Sequence, residues 1–300
     1  MDFNKCLFFS YKSIRNSYKS NRISPIRDIL YHHTRKPFGV RISTDLPEGP
    51  GLGSSTSFAV CLAACFLHWR CLQGGHHIGF DDEQLRTIKR YTESCEDVMQ
   101  EDVFPWIDAE ICIYGNIRTY QCTHYKSLFT SIINLQTVIK ILIIATRCYQ
   151  NKKTRAQLIA KMKSSHPDFD SIINKLDEFA TTIYDRLDYI NCNRDNVHPI
   201  THVSAYENAY MDLQDDIRRN QQLLKEYHLS YPNMDNKVSK IASGFGYGAK
   251  ITGFGGGFAY IVLQPNITDM EMDFLREAFH SKIFKTVVAT IDCEGVKIDN

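Results

Sequence analysis

Three glycines, Gly49, Gly51 and Gly53, stand at alternate positions just before an apolar run, a spacing typical of an anion-binding loop. Glycine lets the backbone turn tightly and approach a bulky group, because no Cβ atom intervenes. Ser54 and Ser55 follow where a helix would begin, and one of them is a natural cap. The free N–H groups and positive end of that helix would bind a phosphate. No Gly-Lys-Ser/Thr follows, so this is not a Walker loop, and an ordinary turn before a buried helix is the alternative.

This loop resembles the phosphate loop of the GHMP kinases (galacto-, homoserine, mevalonate and phosphomevalonate kinases). The resemblance rests on the sequence from Asp45 to Ser55, and Val60–Ala64 points within the family to the mevalonate kinases. Two later stretches, Lys153–Ala156 and Lys250–Gly257, resemble further family motifs in the same order. Together these motifs cover the chain from about residue 38 to its C-terminus.

The resemblance implies a phosphate site for ATP. Its residues would be Pro47, Gly49, Gly51, Leu52, Gly53, Ser54, Ser55, Gly253, Gly255 and Gly256. The last three belong to the second glycine-rich motif, and a bare turn would not need so many glycines.

The resemblance also implies a metal site and an acceptor site. Ser55 and Glu96 match the positions that contact Mg²⁺, an ion that takes few protein oxygens and keeps waters. Asp108 matches the catalytic aspartate, which acts as base or electrostatic anchor for the acceptor hydroxyl. Thr154 and Arg155 match a pair that faces the acceptor and the phosphate. If the resemblance is set aside, each residue has an ordinary structural interpretation. Glu96 would be a solvated helix carboxylate, Asp108 a cap or turn residue, and Thr154 a helix cap.

Three departures from the family pattern bear on activity. The family has Pro-Ser-Gly-x-Asp where this chain has Phe104-Pro-Trp-Ile-Asp108, so Trp106 adds bulk near the acceptor pocket. Phe254 adds bulk in the second glycine-rich motif. The family's Pro-Gly-Lys, whose lysine pairs with the catalytic aspartate, does not precede the phosphate loop. A shortened first domain and an incomplete gene model or splice form both explain that absence.

These observations indicate two functions. The first is ATP- and Mg²⁺-dependent phosphorylation of the 5-hydroxyl of mevalonate, giving 5-phosphomevalonate for isoprenoid and sterol synthesis. The alternative is a catalytically impaired relative that binds nucleotide or a partner protein without turnover. The resemblance also implies a homodimer.

Composition limits the classes of protein to which the chain can belong. The chain has 300 residues, 35 basic and 34 acidic side chains, and 43% hydrophobic residues, which describes a globular protein of two domains. The near-zero net charge does not call for nucleic acid or an anionic membrane, and no run approaches the roughly 18 apolar residues of a membrane helix. Ten cysteines without a CxxC pair indicate a reducing compartment, the cytoplasm.

The fold implied is two-domain α/β (α+β). Residues 1–136 would form an incomplete ribosomal-S5-like N-terminal domain, and residues 137–300 a ferredoxin-like C-terminal domain. Patterning predicts helices over about 55–73, 82–100, 154 onwards, 168–190, 202–226 and 270–279. It predicts strands over 39–44, 139–145, 259–263, 286–291 and 296–299, a hairpin of 111–114 with 117–120, and a loop over 244–257.

Overall fold

A computed structural model describes the chain in two compact units. The described residues are 5–8, 39–47, 49, 51–100, 107–122, 127–133, 138–148, 152–193, 203–253, 256–291 and 294–299. The N-terminal unit comprises Met1–Glu48, Gly53–Gly115 and Glu294–Asn300, and the C-terminal unit comprises Gly49–Leu52 and Asn116–Cys293. The contacts therefore divide the chain at 115/116, while the boundary between family domains at 136/137 stays a prediction.

The described part of the N-terminal unit combines a two-stranded antiparallel sheet with three helices. Its elements are β1 (Lys5–Phe8), β2 (Gly39–Ile42), α1 (Ser54–Gly74), α2 (Asp82–Gln100) and α3 (Ile107–Tyr114). The helices bury a common core that consists of Val60, Ala64, Leu67, Ile88 and Ile113. Both long helices lie within one residue of their predicted bounds.

Local signals explain where these two helices begin and end. α1 stops at Gly75, whose φ of 142° suits glycine. Before α2, the Asp81 carboxylate accepts a hydrogen bond from the Gln84 N–H at 2.8 Å, and the Gln84 side-chain oxygen accepts one from the Asp81 N–H at 2.9 Å. This reciprocal pair satisfies two N–H groups that a helix start leaves without partners.

α1 is apolar along most of its length. Of the described helices it alone is long and apolar enough to cross a membrane by length and composition, although a core helix of a soluble protein passes the same test. About a third of the relevant window is buried inside the structure. The sequence-based prediction concerned unbroken apolar runs, whereas α1 passes this test on average composition, because Arg70 is its only Lys, Arg, Asp or Glu residue.

The C-terminal unit is built on a four-stranded antiparallel sheet in the order β6-β7-β5-β8. Its strands are β5 (Ile139–Ala145), β6 (Lys250–Ile251), β7 (Phe258–Val262) and β8 (Thr286–Ile291), and a separate hairpin pairs β3 (Ile117–Cys122) with β4 (Ser127–Ile133). Its helices are α4 (Lys152–Ser165), α5 (Phe169–Cys192), α6 (Val203–Glu226), α7 (Ser239–Gly244) and α8 (Asp269–His280), with a π-helical turn at Met234–Val238. Chain order and strand order together give a β-α-β-β-α-β arrangement.

Side chains from the two faces of this sheet enter different cores. Leu142, Ile144 and Ile261 pack with residues of α7, α8 and the π-helical turn. Ile139 and Val262 pack with residues of α5 and α6. The alternation along β5 and β7 is the period of two that a sheet buried on both faces requires.

The edge of the sheet at β6 is covered by amide side chains of α6. Gln221 accepts a hydrogen bond from the Ile251 N–H at 3.1 Å, and Gln214 accepts one from the Gly248 N–H at 2.9 Å. Gln214 also donates to the Val262 carbonyl at 2.9 Å. These bonds satisfy backbone groups that an edge strand leaves open.

Three sequence-based predictions of elements are wrong. Residues 111–114 lie in α3 rather than a strand, β3 pairs with β4 instead, and Gly115 and Asn116, both with positive φ, end a helix rather than form a hairpin turn. Residues 296–299 form no strand, and the Val296 N–H bonds the Ile113 carbonyl at 3.1 Å. The predicted loop over 244–257 contains β6.

Gly248 is a position where the packing of α6 on β6 excludes any side chain. A Cβ atom at Gly248 would overlap the Gln214 carbonyl oxygen and lie 3.1 Å from the Arg218 nitrogen. We expect Gly248→Ala to lower the free energy of unfolding by about 1–3 kcal/mol, since helix or strand must shift. Denaturant titration measures this change. Gly244→Ala is the control, because no atom lies within 4 Å of its added Cβ; equal losses in both variants would contradict this explanation.

Candidate functional site

The phosphate-loop glycines Gly49 and Gly51 lie directly against the second glycine-rich motif, within the C-terminal unit. Their φ angles of 139° and 110° are ones that other residues rarely adopt. A Cβ atom at Gly51 would lie 2.7 Å from the Thr252 hydroxyl oxygen, and one at Gly49 would lie 3.1 Å from the Phe258 ring. A Cβ at Gly253 would in turn lie 3.5 Å from the Gly51 Cα. The structure thus brings the two predicted phosphate-binding segments together backbone to backbone.

The second glycine-rich motif is anchored to the sheet by two threonines. The Thr252 N–H and hydroxyl both donate to the Phe258 carbonyl, at 2.9 and 3.2 Å. The buried Thr146 hydroxyl, at the end of β5, lies 3.1 Å from the carbonyl oxygens of both Gly256 and Gly257. These contacts fix the return of the motif into β7.

Tyr231 packs against the motif from the other side. A Cβ at Gly256 would overlap the Tyr231 ring, so only glycine fits beneath it. The Arg155 guanidinium lies 5.3 Å from the centroid of the same ring, a cation–π distance. Burial raises the pKa of the Tyr231 hydroxyl. The ring therefore connects α4 to the glycine-rich motif.

Arg155 occupies a different environment from its sequence neighbour Thr154. The Arg155 side chain is buried, donates to the Leu229 carbonyl, and has its pKa lowered by burial. Thr154 lies exposed in the first turn of α4. Of the predicted acceptor-facing pair, Thr154 is the residue whose side chain is open to solvent.

In the N-terminal unit, Ser54 and Ser55 form the start of α1. The helix cap is Gly53, with φ 66° and no side-chain hydrogen bond, so the prediction that a serine caps the helix is wrong. Both serine side chains are exposed. They stand in the first turn, where backbone N–H groups and the helix dipole favour an anion.

Asp108 and Glu96 lie on the two helices that pack with α1. Asp108 is exposed in the first turn of α3. Glu96 lies towards the end of α2, and its side chain is outside the described residues. Lys89 of α2 forms an ion pair with Glu110 of α3, which ties these two helices together. The three candidate residues Ser55, Glu96 and Asp108 thus sit on packed helices of one unit.

The remaining predicted residues are only partly described. Pro47 and Leu52 are half-buried. Gly255, Phe254 and Trp106 lie outside the described residues. The prediction that the two bulky side chains narrow the site therefore stays a prediction.

Lys250 is a residue of this region that sequence reasoning did not single out. It pairs in register with Tyr260 of β7, and its amine lies 3.5 Å from the Ile251 carbonyl oxygen. Burial lowers the pKa of the Lys250 amine to about 8 and raises the pKa of Tyr260 to about 12. The place of this lysine at the start of the Lys250–Gly257 motif, within the predicted loop, was the available signal.

Comparison with known proteins shows which proteins this chain is similar to. The profile of the GHMP kinases N terminal domain matches residues 21–116, which end beside the 115/116 division of the structure. Mevalonate kinase of Dictyostelium discoideum is 28% identical over 281 residues, covering 88% of this chain and 67% of that protein. Mevalonate kinase of Bos taurus is 24% identical over 267 residues, covering 86% and 63%. The chain is therefore similar to the GHMP kinases over residues 21–116 and to mevalonate kinases over most of its length.

Solved structures of mevalonate kinases are similar to this chain in fold. L. major mevalonate kinase in complex with R-mevalonate superposes with a TM-score of 0.61 at 16% identity, covering 81% of this chain and 67% of that one. The Methanococcus jannaschii enzyme gives a TM-score of 0.51 at 18% identity, covering 83% and 66%. The chain thus spans about two thirds of the length of these proteins.

The contact between Gly51 and Thr252 can be tested by a double-mutant cycle. Gly51→Ala adds a methyl group at 2.7 Å from the Thr252 hydroxyl, so it should destabilise the protein less when Thr252→Ala removes that oxygen. We expect a coupling free energy of about 0.5–3 kcal/mol by denaturant titration. Gly75→Ala is the control, because its φ of 142° is similarly strained while nothing lies within 4 Å of its Cβ. If Gly75→Ala and Thr252→Ala showed as large a coupling free energy as Gly51→Ala and Thr252→Ala, the contact would be refuted.

The desolvated amine of Lys250 predicts a pH-dependent stability. Its folded pKa of about 8 lies below the ordinary 10.5, so the unfolded chain binds more protons between these values and stability rises with pH there. Lys250→Met should therefore be more stable than wild type at pH 7 by roughly 2 kcal/mol. This value is smaller than the full pKa shift would give, because the residue is still partly exposed to solvent. The pH-dependent part of the difference, measured by denaturant titration at each pH, should be lost above pH 10.5, whereas exposed Lys282→Met should show none. A constant difference across this range would contradict the assignment.

Proposed function

We propose that this chain is an ATP- and Mg²⁺-dependent kinase that phosphorylates the 5-hydroxyl of mevalonate. The observation that carries the proposal is the backbone-to-backbone contact between the loop of Gly49 and Gly51 and the motif of Thr252–Gly257. Two glycine-rich segments held together leave backbone N–H groups able to surround phosphates. The names of the relatives supply the acceptor, which makes the product 5-phosphomevalonate, an isoprenoid and sterol precursor.

The described residues fit this chemistry in type. Mg²⁺ in kinases takes one or two protein oxygens and otherwise phosphates and waters. The exposed Ser55 hydroxyl and the Glu96 carboxylate would supply those oxygens, and bound Mg²⁺ would neutralise phosphate charge. Asp108 would orient the acceptor hydroxyl and hold or accept its proton, and Thr154 would contact the acceptor or phosphate.

Arg155 is better suited to support than to substrate contact. Its guanidinium is buried against the Leu229 carbonyl and the Tyr231 ring. In that position it would stabilise Tyr231 over Gly256 and so keep the glycine-rich motif in place. We therefore propose an indirect role for Arg155 in binding phosphate.

A second candidate function is nucleotide or partner binding without turnover. It is favoured by Phe104-Pro-Trp-Ile-Asp108 in place of the family's Pro-Ser-Gly-x-Asp. A bulky residue beside the catalytic aspartate would misplace the acceptor, and misplacement alone costs large factors in rate.

Architecture and setting are proposed on the same basis. The β-α-β-β-α-β arrangement supports a ferredoxin-like C-terminal domain, and the N-terminal unit would be an incomplete ribosomal-S5-like domain. A homodimer in the cytoplasm, with neither nucleic acid nor membrane as a partner, completes the proposal.

ADP release by the purified chain with MgATP and mevalonate tests the first function. We expect mevalonate-dependent turnover that Asp108→Ala reduces by at least about 100-fold, because general-base positioning contributes factors of this size. Binding of nucleotide, followed by calorimetry, should be unchanged in the same variant. Asp273→Ala, an exposed carboxylate on α8, is the matched control and should keep full activity.

The outcomes separate the two functions. Turnover retained in Asp108→Ala would remove this aspartate from the mechanism. Nucleotide binding by a folded wild-type chain that shows no turnover with mevalonate would reject the kinase in favour of the binding protein.

A further inference from the structure

Two histidines of the N-terminal unit face each other at the end of α1. His68 lies on α1 and His77 in the turn between α1 and α2, and both side chains are half-buried. Their Nδ1 atoms are 2.8 Å apart, and their ring centroids are 5.1 Å apart with the planes tilted by 39°. Neither histidine belongs to the proposed kinase site, so a role for this pair does not depend on kinase activity.

Gln84 fixes which nitrogen of His77 carries the proton. The Gln84 side-chain oxygen must be the atom near the Asp81 N–H, 2.9 Å away, because a backbone N–H needs an acceptor. This same oxygen lies 3.2 Å from His77 Nε2. Neutral His77 therefore donates from Nε2, and its Nδ1 holds a lone pair directed at His68.

Gln84 is itself held in place from two sides. Its backbone N–H donates to the Asp81 carboxylate at 2.8 Å, and its side-chain nitrogen donates to the Cys71 sulfur at 3.4 Å. The Phe80 ring packs edge-on against His77, with centroids 5.4 Å apart. His77 thus has a fixed ring and an oxygen partner on its far nitrogen, as metal-binding histidines have in proteins.

The separation of the two nitrogens suits a particular coordination geometry. With metal–nitrogen bonds of about 2.0–2.1 Å, two ligands at a right angle are about 2.9 Å apart, and two at a tetrahedral angle are about 3.3 Å apart. The observed 2.8 Å is closest to the right-angle value, and a shared ion requires both rings to tilt so that their Nδ1 lone pairs converge on it. Right angles are found in square-planar and octahedral sites of Cu²⁺ and Ni²⁺, while Zn²⁺ prefers tetrahedral sites.

We propose that His68 and His77 bind a divalent transition-metal ion of the Ni²⁺ or Cu²⁺ type through their Nδ1 atoms. Neutral His68 needs only to move its proton from Nδ1 to Nε2, so no proton is lost from the pair. Among the described residues no third His, Cys, Asp or Glu completes a metal-binding group, so water fills the other positions. The bound ion joins the end of α1 to the turn that leads into α2.

Calorimetric titration of the metal-free full-length chain with Ni²⁺ tests this site. We expect binding of one Ni²⁺ ion that is lost in both His68→Gln and His77→Gln. His76→Gln is the matched control, because His76 is the exposed neighbour outside the pair, and it should bind as wild type does. Gln84→Leu should weaken binding by about 10–100-fold, the loss typical when the hydrogen-bond partner of a ligating histidine is removed.

A spectroscopic measurement on the unaltered chain keeps the test independent of variant folding. Cu²⁺ at substoichiometric concentration should give an electron paramagnetic resonance spectrum with splitting from two nitrogens. Three results would reject the site. They are the absence of ion binding by the folded wild type, a loss of metal binding in His76→Gln as complete as that in His68→Gln, and a spectrum that shows sulfur ligation from the free cysteines. The pair would then be a hydrogen bond only.

Discussion

The close approach of two backbone segments governs the arrangement of the candidate phosphate site. Thr252 leaves no room for a Cβ atom at Gly51, and the ring of Phe258 stands almost as close to Gly49. Each segment is held where it is by its contact with the other and by the threonine hydrogen bonds behind them. A single methyl group in this contact would separate them, because packed backbone cannot deform gradually. The glycines are therefore a requirement of the fold as much as of a ligand.

The polar side chains behind this contact serve the scaffold. Gln214 and Gln221 satisfy the open edge of β6, and the Thr146 hydroxyl contacts two carbonyls of the glycine-rich motif. Arg155 and Tyr231 then cover the motif. Such groups are costly to bury unless they are hydrogen-bonded, so each one fixes a unique position for the backbone that it contacts.

The long elements and the resemblance to the GHMP kinases were predictable from the sequence, and the local exceptions were not. α1 and α2 have clear boundary residues and run for about five turns, so patterning located them within a residue. α3 is short, and its apolar residues Ile111 and Ile113 alternate like those of a strand, so only tertiary packing of Ala109 and Ile113 decides for the helix. The burial of Arg155 depends on residues more than 70 positions away, and no local pattern encodes that distance.

The predicted site residues belong to both units of the chain. The contacts that fix Gly49 and Gly51 lie in the C-terminal unit, whereas Ser55, Glu96 and Asp108 lie in the N-terminal unit. The residues that approach these two glycines, Thr252, Gly253 and Phe258, all belong to the C-terminal unit. Loss of Asp108, the proposed catalytic aspartate, would leave these contacts intact. An inactive chain that still binds nucleotide is thus physically consistent with these contacts, and the two proposed functions differ in whether Asp108 acts on an acceptor.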